Sequence, residues 1–374
     1  MATPLVLDGS SGGGQILRYA LAFSTLTGQP FILKNIRASR PNPGLQPQHL
    51  ASINAMVDWT GAACEGAEIG SSEIFFQPGI PKSGTFTIDI KTAGSVTLLM
   101  QSLLLPAVFG EGHVRFIVRG GTDVQWSMPW DYFAKVVIPH YTRLAEIDLS
   151  LIKRGYYPRG GGEAAVRITP KYPGVAGTTP NEIAAVLSDL RRNPLDISEQ
   201  GILHIIRGIS HASADLQQRQ VAERQARAAS HLLLKYLDRK SAVPVRVEAT
   251  YQETLSTGSG ITLWASFSDS PDDINLANPV VLGADTLGRR DLSAEQVGEA
   301  AASKLIDSLE SLAPVDVNLA DNLVPLLSVF GGRIRVQAVS SHTALCLSLA
   351  QEFLDFTGIK IRSEGNLLIG GFSP

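Results

Sequence analysis

The stretch "QPFILKNIRASR" (residues 29–40) is an apolar run that ends in polar and charged residues, as expected of a β-strand leading into a loop. Two later stretches share this pattern, "GHVRFIVRGGTD" (112–123) and "GRIRVQAVSSH" (332–342). Each of the three follows one apolar helical segment and precedes another. The sequence therefore predicts three copies of a helix–strand–helix unit.

The flanking segments extend this pattern into complete units. Those that precede the strands each end in glycine, which predicts a left-handed C-cap: "GGGQILRYALAFSTLTG" (12–28), "AGSVTLLMQSLLLPAVFG" (93–110) and "LADNLVPLLSVFGG" (319–332). Those that follow are also predicted helices: "PQHLASINAMVDWTG" (47–61), "PWDYFAKVVIPHYTRLA" (129–145) and "TALCLSLAQEFLDFTG" (343–358). With the further strands between them, these units predict an α+β fold of layered α/β type.

A segment between the second and third units does not follow the helix–strand–helix pattern. It contains the predicted long helix "ADLQQRQVAERQARAASHLLLKYLDRK" (214–240) and several predicted strands. We predict a smaller inserted α+β domain over residues 183–285, and a large domain over residues 1–182 and 286–374. The basic residues of the long helix form either a solvated face or an RNA-binding face.

Composition excludes several classes of protein. The 374 residues are 44% hydrophobic, with a formal net charge of -3, which argues against a polybasic nucleic-acid binder. The two cysteines, Cys64 and Cys346, are far apart, so neither a disulfide framework nor a zinc site is expected. The sequence lacks an apolar run of about 18 residues and the pattern of a signal peptide. We expect no membrane partner and a cytoplasmic location, or a nuclear one in a eukaryote.

The three strand ends indicate where a ligand would bind. They bring Arg40, Asp123 and His342 into equivalent loops, and ligand groups collect beyond strand ends and at helix starts. A helix start would disfavour the imidazolium form of His342 and leave a neutral, nucleophilic ring. The alternative is a capping or core histidine with no chemical role.

Three further segments could bind anions or bases. "NIRASRPNPGLQPQH" (35–49) holds Arg37, Arg40 and Gln48 in a proline-stiffened loop, which suits a phosphate or carboxylate, or else a structural ion-pair network. "GSSGGG" (9–14) could bind an anion through backbone N–H groups or be a plain turn. "GYYPRGGGE" (155–163) could be a strand turn or a surface for stacked bases.

Taken together, these motifs resemble the RNA 3'-terminal phosphate cyclase family over nearly the whole chain. The residues that carry the resemblance are "GGGQILR", "IRASRPNPGLQPQHL", "TAGSVTLLMQSLLLPA", "GGTDVQWSMPWDYF", "GYYPRGGGE", "LGRRDLSAEQVGEAAA", "LADN" and "SSHTA". The resemblance implies three βαβαββ-type repeats in a large domain with a smaller inserted α+β domain. It also implies ATP-dependent conversion of an RNA 3'-phosphate to a 2',3'-cyclic phosphodiester through an adenylyl-histidine.

The resemblance also implies roles for individual residues. His342 falls on the nucleophilic histidine, and Arg18, Arg37, Arg40 and Gln48 would hold phosphates of ATP or of the RNA end. The residues implied to contact ATP are Gln101, Pro129, Asn318, Leu319, Ala320, Asp321 and Asn322.

The sequence does not identify the protein ligands of the metal ion. Ser11 stands where many members have a glutamate that helps to hold the divalent ion, and some cyclases have an aromatic residue where this chain has Asn318. Mg²⁺ or Mn²⁺ is still expected, because ATP oxygens and water can supply most of its ligands. Asp8, Asp123 and Asp321 are the candidate protein ligands, and the sequence does not rank them.

The expected macromolecular partner is RNA with a 3'-phosphate end, and the sequence leaves a homodimer open. The alternative function is that of a cyclase-like RNA-binding or ribosome biogenesis protein with weak or no catalytic activity. The missing acid at Ser11 favours this alternative, whereas His342 favours an active enzyme. Enolpyruvyl transfer does not fit the motifs.

Overall fold

A computed structural model describes residues 2–10, 13–237, 243–268 and 275–372. The described residues form four four-stranded sheets, and three of these share one topology. In each of the three, the first strand pairs in parallel with the second, and the second and third both pair antiparallel with the fourth. The three predicted repeats are therefore present as βαβαββ units.

The repeats have the following elements. The first contains β1 (Leu5–Asp8), α1 (Gln15–Thr27), β2 (Phe31–Lys34), α2 (Pro47–Thr60), β3 (Ala63–Glu65) and β4 (Ile74–Gln77). The second contains β5 (Gly84–Asp89), α3 (Val96–Ala107), β6 (Val114–Gly120), α4 (Trp130–Tyr132), β7 (Ala145–Lys153) and β8 (Gly162–Pro170). After α5 (Pro180–Leu190), the third contains β9 (Leu195–Ile197), α8 (Val317–Phe330), β14 (Gly332–Arg335), α9 (Ser341–Leu354), β15 (Ile359–Glu364) and β16 (Leu367–Phe372).

The fourth sheet belongs to an insert within the third repeat. Its elements are β10 (Ile202–Ser213), α6 (Val221–Leu237), β11 (Val245–Gln252), β12 (Ser259–Ser268), β13 (Val281–Leu287) and α7 (Ala294–Glu310). The strand order is β11-β10-β12-β13, and α6 and α7 pack on the sheet around a separate apolar cluster. The predicted boundaries at residues 183 and 285 fall inside α5 and inside β13. By strand pairing, the insert enters between β9 and α8, because β9 pairs with β14.

Two predicted helices are less regular than expected. The segment 129–145 is α-helical only in α4, and then continues as a π-helix (Phe133–Val137) and a 3-10 helix (Ile138–Tyr141), where Pro139 supplies no N–H donor. The segment 214–240 starts as a 3-10 helix (Ala214–Arg219), and α6 starts only after Gln220, whose left-handed backbone (φ 51°) interrupts the hydrogen-bond ladder. Residues 238–240 of this prediction lie outside the described residues.

The predicted glycine caps are present at one of the three helices. Gly28 ends α1 in the left-handed conformation, with φ 71° and ψ 5°. By contrast, α3 ends at Val108 in a right-handed conformation, and α8 ends at Gly331 with φ 64° and ψ -165°. After α3, the amides of Phe109 and Gly110 donate to carbonyls three residues back. This tight last turn satisfies terminal carbonyls of the helix, as the expected glycine cap would have done.

The first helix of each repeat lies at the centre of the large domain. In α1 twelve of the thirteen residues are buried, and α3 and α8 are buried nearly as fully, as expected of helices that are apolar on all sides. A polar side chain on these helices must therefore find a partner inside the protein. Among the described residues, no helix is long and apolar enough to cross a membrane.

Candidate active site

A chain of polar side chains connects the three central helices. Arg18 of α1 donates from Nε to Oε1 of Gln101 on α3 at 3.0 Å. Gln101 in turn donates from Nε2 to Oδ1 of Asn322 on α8 at 2.8 Å, and Asn322 donates from Nδ2 to Oδ1 of Asp321 at 3.1 Å. Each repeat thus contributes at least one member of a single hydrogen-bond network.

Gln15 joins this network to His342. Its Nε2 donates to Oδ2 of Asp321 and to the backbone oxygen of His342, both at 3.1 Å. The backbone oxygen can only accept, so the amide nitrogen must lie on that side and Oε1 must face Nδ1 of His342. Nδ1 therefore carries the proton and donates to Oε1 of Gln15. In the neutral ring, Nε2 is left with a free lone pair.

The surroundings of His342 favour the neutral ring. The histidine lies in the first turn of α9, where the side chain of Ser340 caps the helix by accepting from the amide of Thr343 at 3.0 Å. Partial burial, together with the positive charges of Arg18 and Arg40, lowers the pKa of His342 below its usual 6.5. The ring is thus a potential nucleophile at neutral pH.

Asp321 is the acidic member of the network. Burial raises its pKa to about 7, against the opposing effect of the Arg18 guanidinium. Burial thus favours the protonated form of the carboxyl, and both of its oxygens are hydrogen-bonded within the network. Asp321 is placed to orient Gln15, and through it His342.

The network opens on one side into a cleft of about 1960 Å³. The sequence-predicted residues that line the cleft are Arg18, Arg37, Arg40, Gln48, Asp123 and His342. The loop between β2 and α2 brings its two arginines to the cleft, and Arg37 adopts a left-handed backbone (φ 56°) to do so. Three guanidinium groups beside a neutral histidine form a surface suited to a polyphosphate.

His49 lines the same cleft and lies against the glycine turn. Its Nδ1 accepts from the amide of Gln46 at 3.0 Å, and burial with two neighbouring arginines lowers its pKa to about 3. A Cβ at Gly14 would lie 2.2 Å from Nε2 of His49 and 3.0 Å from Nη1 of Arg18. Glycine is needed at position 14 so that the turn can approach these two side chains.

The other residues predicted to contact ATP do not line the cleft. Gln101, Asp321 and Asn322 belong to the hydrogen-bond network behind it. Pro129 is buried at the start of α4, and Asn318 is exposed in the first turn of α8. The side chains of Leu319 and Ala320 are fully buried in the core, so neither side chain is accessible to a ligand.

The candidate metal ligands lie in different surroundings. Asp8 is exposed and accepts hydrogen bonds from Ser10 and Asn35. Asp321 belongs to the network, and position 11 lies outside the described residues. Among the described residues, no set of carboxylates surrounds His342, so they do not form a protein cage for a divalent ion.

Asp123 lines the cleft and belongs to a buried cluster that joins the second repeat to the insert. Arg154 donates from Nη1 to Oδ2 of Asp123 at 3.1 Å and from Nη2 to Oδ2 of Asp131 at 2.7 Å. His211 of β10 places Nε2 3.3 Å from Oδ1 of Asp123. The two carboxylates and this histidine have the spacing of a metal site, but one guanidinium already donates to both acids.

Gln15 is the site residue to which the sequence assigned no role. Its partners Asp321 and His342 are 306 and 327 positions away, so no local pattern reveals the contact. The available sequence signal is a polar pair, Gln15 and Arg18, three positions apart on one face of a largely apolar helix.

The fold and cleft together define an α/β protein of three βαβαββ repeats, with a neutral histidine beside an arginine cluster. The family model for RNA 3'-terminal phosphate cyclase matches residues 10–360. The chain is 38% identical to an RNA 3'-terminal phosphate cyclase of Pyrococcus furiosus over 352 residues, which cover 93% of each chain. It is 38% identical to the RNA 3'-terminal phosphate cyclase of Methanopyrus kandleri, and the aligned residues cover 96% of this chain and 95% of the relative. It is 40% identical to that of Pyrobaculum neutrophilum, covering 93% and 92%.

This chain belongs to the RNA 3'-terminal phosphate cyclase family.

Proposed function

We propose that this protein is an ATP-dependent RNA 3'-phosphate cyclase that acts through an adenylyl intermediate on His342. The observation that carries the proposal is the orientation of the histidine: Gln15 holds the proton on Nδ1, so Nε2 presents its lone pair beside the arginines of the cleft. The names of the relatives supply the substrate class, an RNA 3'-terminal phosphate.

The first step of the proposed reaction forms a phosphoramidate. Nε2 of His342 attacks the α-phosphorus of ATP, the bond from that phosphorus to the bridging oxygen breaks, and pyrophosphate leaves. The proton stays on Nδ1, held by Gln15, and its hydrogen bond stabilises the positive charge that develops on the ring. Arg18, Arg37 and Arg40 would neutralise the phosphate oxygens and the leaving pyrophosphate.

Two further transfers close the ring. An oxygen of the RNA 3'-phosphate attacks the adenylyl phosphorus and the P–N bond breaks, which returns neutral His342 and joins the RNA to AMP. The vicinal 2'-oxygen then attacks the 3'-phosphorus, the 2'-hydroxyl proton is released, and AMP leaves. Since the last attack is intramolecular, positioning of the RNA end supplies much of its acceleration.

A divalent ion, Mg²⁺ or Mn²⁺, would reduce the charge of the triphosphate during the first step. The absence of a carboxylate cage among the described residues favours an ion held mostly by ATP oxygens and water, with Asp321 as the acidic member of the network that orients His342. Gln48 would add an amide donor to the phosphate-binding surface.

The test uses ATP labelled at the α-phosphate, with Mg²⁺ or Mn²⁺. The wild-type protein should acquire an acid-labile covalent label, and His342→Ala should not. His113→Ala is the matched control, because His113 is exposed immediately before β6 and does not line the cleft. Label that persists in His342→Ala would contradict the nucleophile.

A wild-type protein that acquires no label would contradict the proposed mechanism. If that protein still binds RNA 3'-phosphate ends without consuming ATP, it is instead a cyclase-like RNA-binding protein. Conversion of a 3'-phosphorylated oligonucleotide to its cyclic form, measured in parallel, separates these two functions.

A further inference from the structure

The cleft is larger than one nucleotide requires. Pockets that enclose a small ligand measure about 300–1000 Å³, whereas this cleft measures about 1960 Å³. One part of its lining comes from the repeats and carries His342. Another comes from the insert, chiefly residues 253–259, and from residues 287–291. There is room for a second ligand next to the one that reacts at His342.

Trp126 lines this cleft without any packing role. Its side chain is 94% exposed, whereas the other three tryptophans, Trp59, Trp130 and Trp264, are 1%, 3% and 8% exposed. Its backbone has φ 66°, a conformation that disfavours a bulky residue. The fold therefore does not explain a tryptophan at this position, and a strained, exposed aromatic residue in a cleft suggests a ligand contact.

Tyr157 is a second exposed aromatic residue in the same cleft. It is 74% exposed, whereas its neighbour Tyr156 is 3% exposed and its hydroxyl is hydrogen-bonded to Nδ1 of His211 at 2.8 Å. The insert also contacts the chain after Tyr157, because the amide of Arg159 donates to Oγ of Ser256 at 3.1 Å. The loop is thus anchored on both sides of Tyr157, whose ring is left at the surface.

Positive charge accompanies the two rings. Arg289 is neutralised by two hydrogen bonds to Asp291, but Arg290 is exposed and has no ion-pair or hydrogen-bond partner among the described residues. Trp126, Tyr157 and Arg290 line the same cleft. Exposed aromatic rings together with a free cation are the combination that binds single-stranded nucleic acid, since bases stack on the rings and the arginine pairs with phosphates.

We infer that Trp126 and Tyr157 form a stacking surface for the single-stranded RNA segment that precedes the reacting 3' end, with Arg290 contacting its phosphates. The choice of RNA as ligand rests on the proposed function. The surface would bind RNA with little dependence on base identity, because every base presents a face that can stack.

The direct test is tryptophan fluorescence. The probe is a ten-nucleotide RNA with a 3'-phosphate and a 2'-O-methyl group on its last residue, so that it cannot cyclise. Because the other three tryptophans are buried, we expect the probe to quench Trp126 emission and to protect it from acrylamide. Binding without any change in tryptophan emission or accessibility would overturn the inference.

Affinity is measured separately, by anisotropy of a labelled copy of the probe. Trp126→Ala and Tyr157→Ala should each weaken binding by about 5- to 100-fold, and Trp126→Phe should retain most of the affinity because phenylalanine still stacks. Phe356→Ala is the control, since Phe356 is also an exposed aromatic residue (43%) but does not line the cleft. Equal affinity in all four variants would contradict the inference.

The substrate-length dependence separates this inference from the proposed function. If the protein cyclises RNA, kcat/KM is measured for a decanucleotide and for a dinucleotide. The ratio of the two values should be lower in Trp126→Ala than in the wild type. An unchanged ratio would overturn the stacking surface and leave the proposed function intact. A wild-type protein that acquires no adenylyl label but shows Trp126 quenching by the probe would contradict the proposed function and support the stacking surface.

Discussion

Gln15 and His342, 327 positions apart in the chain, are joined by a hydrogen bond that sets the tautomer of the histidine ring. The same glutamine amide donates to the carboxylate of Asp321, so the first and third repeats meet at one side chain. Residues of two repeats are thus needed to orient one nitrogen.

Replacing this glutamine tests its orienting role. Gln15→Met keeps the approximate volume but removes both the donor and the acceptor, so we expect the adenylylation rate to fall by about tenfold or more, because the ring loses its preferred tautomer. Stability should fall by about 1–3 kcal/mol, since Asp321 loses a buried partner. Gln218→Met, at an exposed position, is the control. An unchanged rate of adenylylation in Gln15→Met would contradict the orienting role.

The pH dependence of adenylylation tests the electrostatics of the cleft. The positive charges of Arg18 and Arg40 help to lower the pKa of His342 below 6.5, so the wild-type rate should rise with pH through a midpoint below 6.5 and then level off. Arg40→Gln removes one of these charges, so the midpoint should move to higher pH at saturating ATP. Arg362→Gln, in an exposed ion pair on β15, should leave the midpoint in place. A midpoint that does not move in Arg40→Gln would show that Arg40 does not act on the ring.

Asp321 should make stability depend on pH. Burial raises its pKa from 3.8 to about 7, so the folded state binds this proton more tightly than the unfolded state does. The resulting stabilisation is complete below about pH 3.8 and is lost as the pH rises through about 7. Relative to Asp321→Asn, the wild-type free energy of unfolding should therefore decline across this range, by about 1.4 kcal/mol for each pH unit at most. Chemical denaturation at several pH values measures it, and parallel curves for the two proteins would contradict the raised pKa.

The buried cluster around Arg154 should contribute strongly to stability. Arg154→Met would leave the buried carboxylates of Asp123 and Asp131 without their guanidinium, so we expect a loss of about 3–5 kcal/mol in denaturant unfolding. Adding Asp123→Asn and Asp131→Asn should restore part of this loss, because the uncompensated charges disappear.

The control for the Arg154 cluster is an exposed ion pair of the second repeat. Arg167→Met, which removes the partner of Asp148, should cost about 0–1 kcal/mol. Equal effects of Arg154→Met and Arg167→Met would show that the buried cluster does not stabilise the fold.

The repeats were predictable because each has a long apolar helix before a strand and another helix after it. The first strand of the third repeat was not, because β9 has only three residues and is separated from its partner by the insert. The irregular helices in segments 129–145 and 214–240 were missed because their hydrophobic pattern is helical. The regular α-helix is interrupted by Pro139 in the first and by the left-handed Gln220 in the second.

The site was predictable only where residue type and position carry the chemistry. His342 and the arginines of the β2–α2 loop could be proposed from the sequence and from family resemblance. The contacts of Gln15 could not, since they depend on how α1, α8 and α9 pack. The burial of Leu319 and Ala320 likewise follows from the face of α8 that packs on the core, which a short motif does not specify.

The position of the insert has a consequence for folding. Asp196 of β9 pairs with Arg333 of β14, 137 positions later, so this sheet forms only after a long loop has been closed. The entropy of closure is reduced if the insert folds first and brings its two ends together. The first two repeats need no such step, and each can form as soon as its own chain is available. We therefore expect the third repeat to reach its native structure last, which would leave the ring of His342 unaligned until the rest of the molecule is in place.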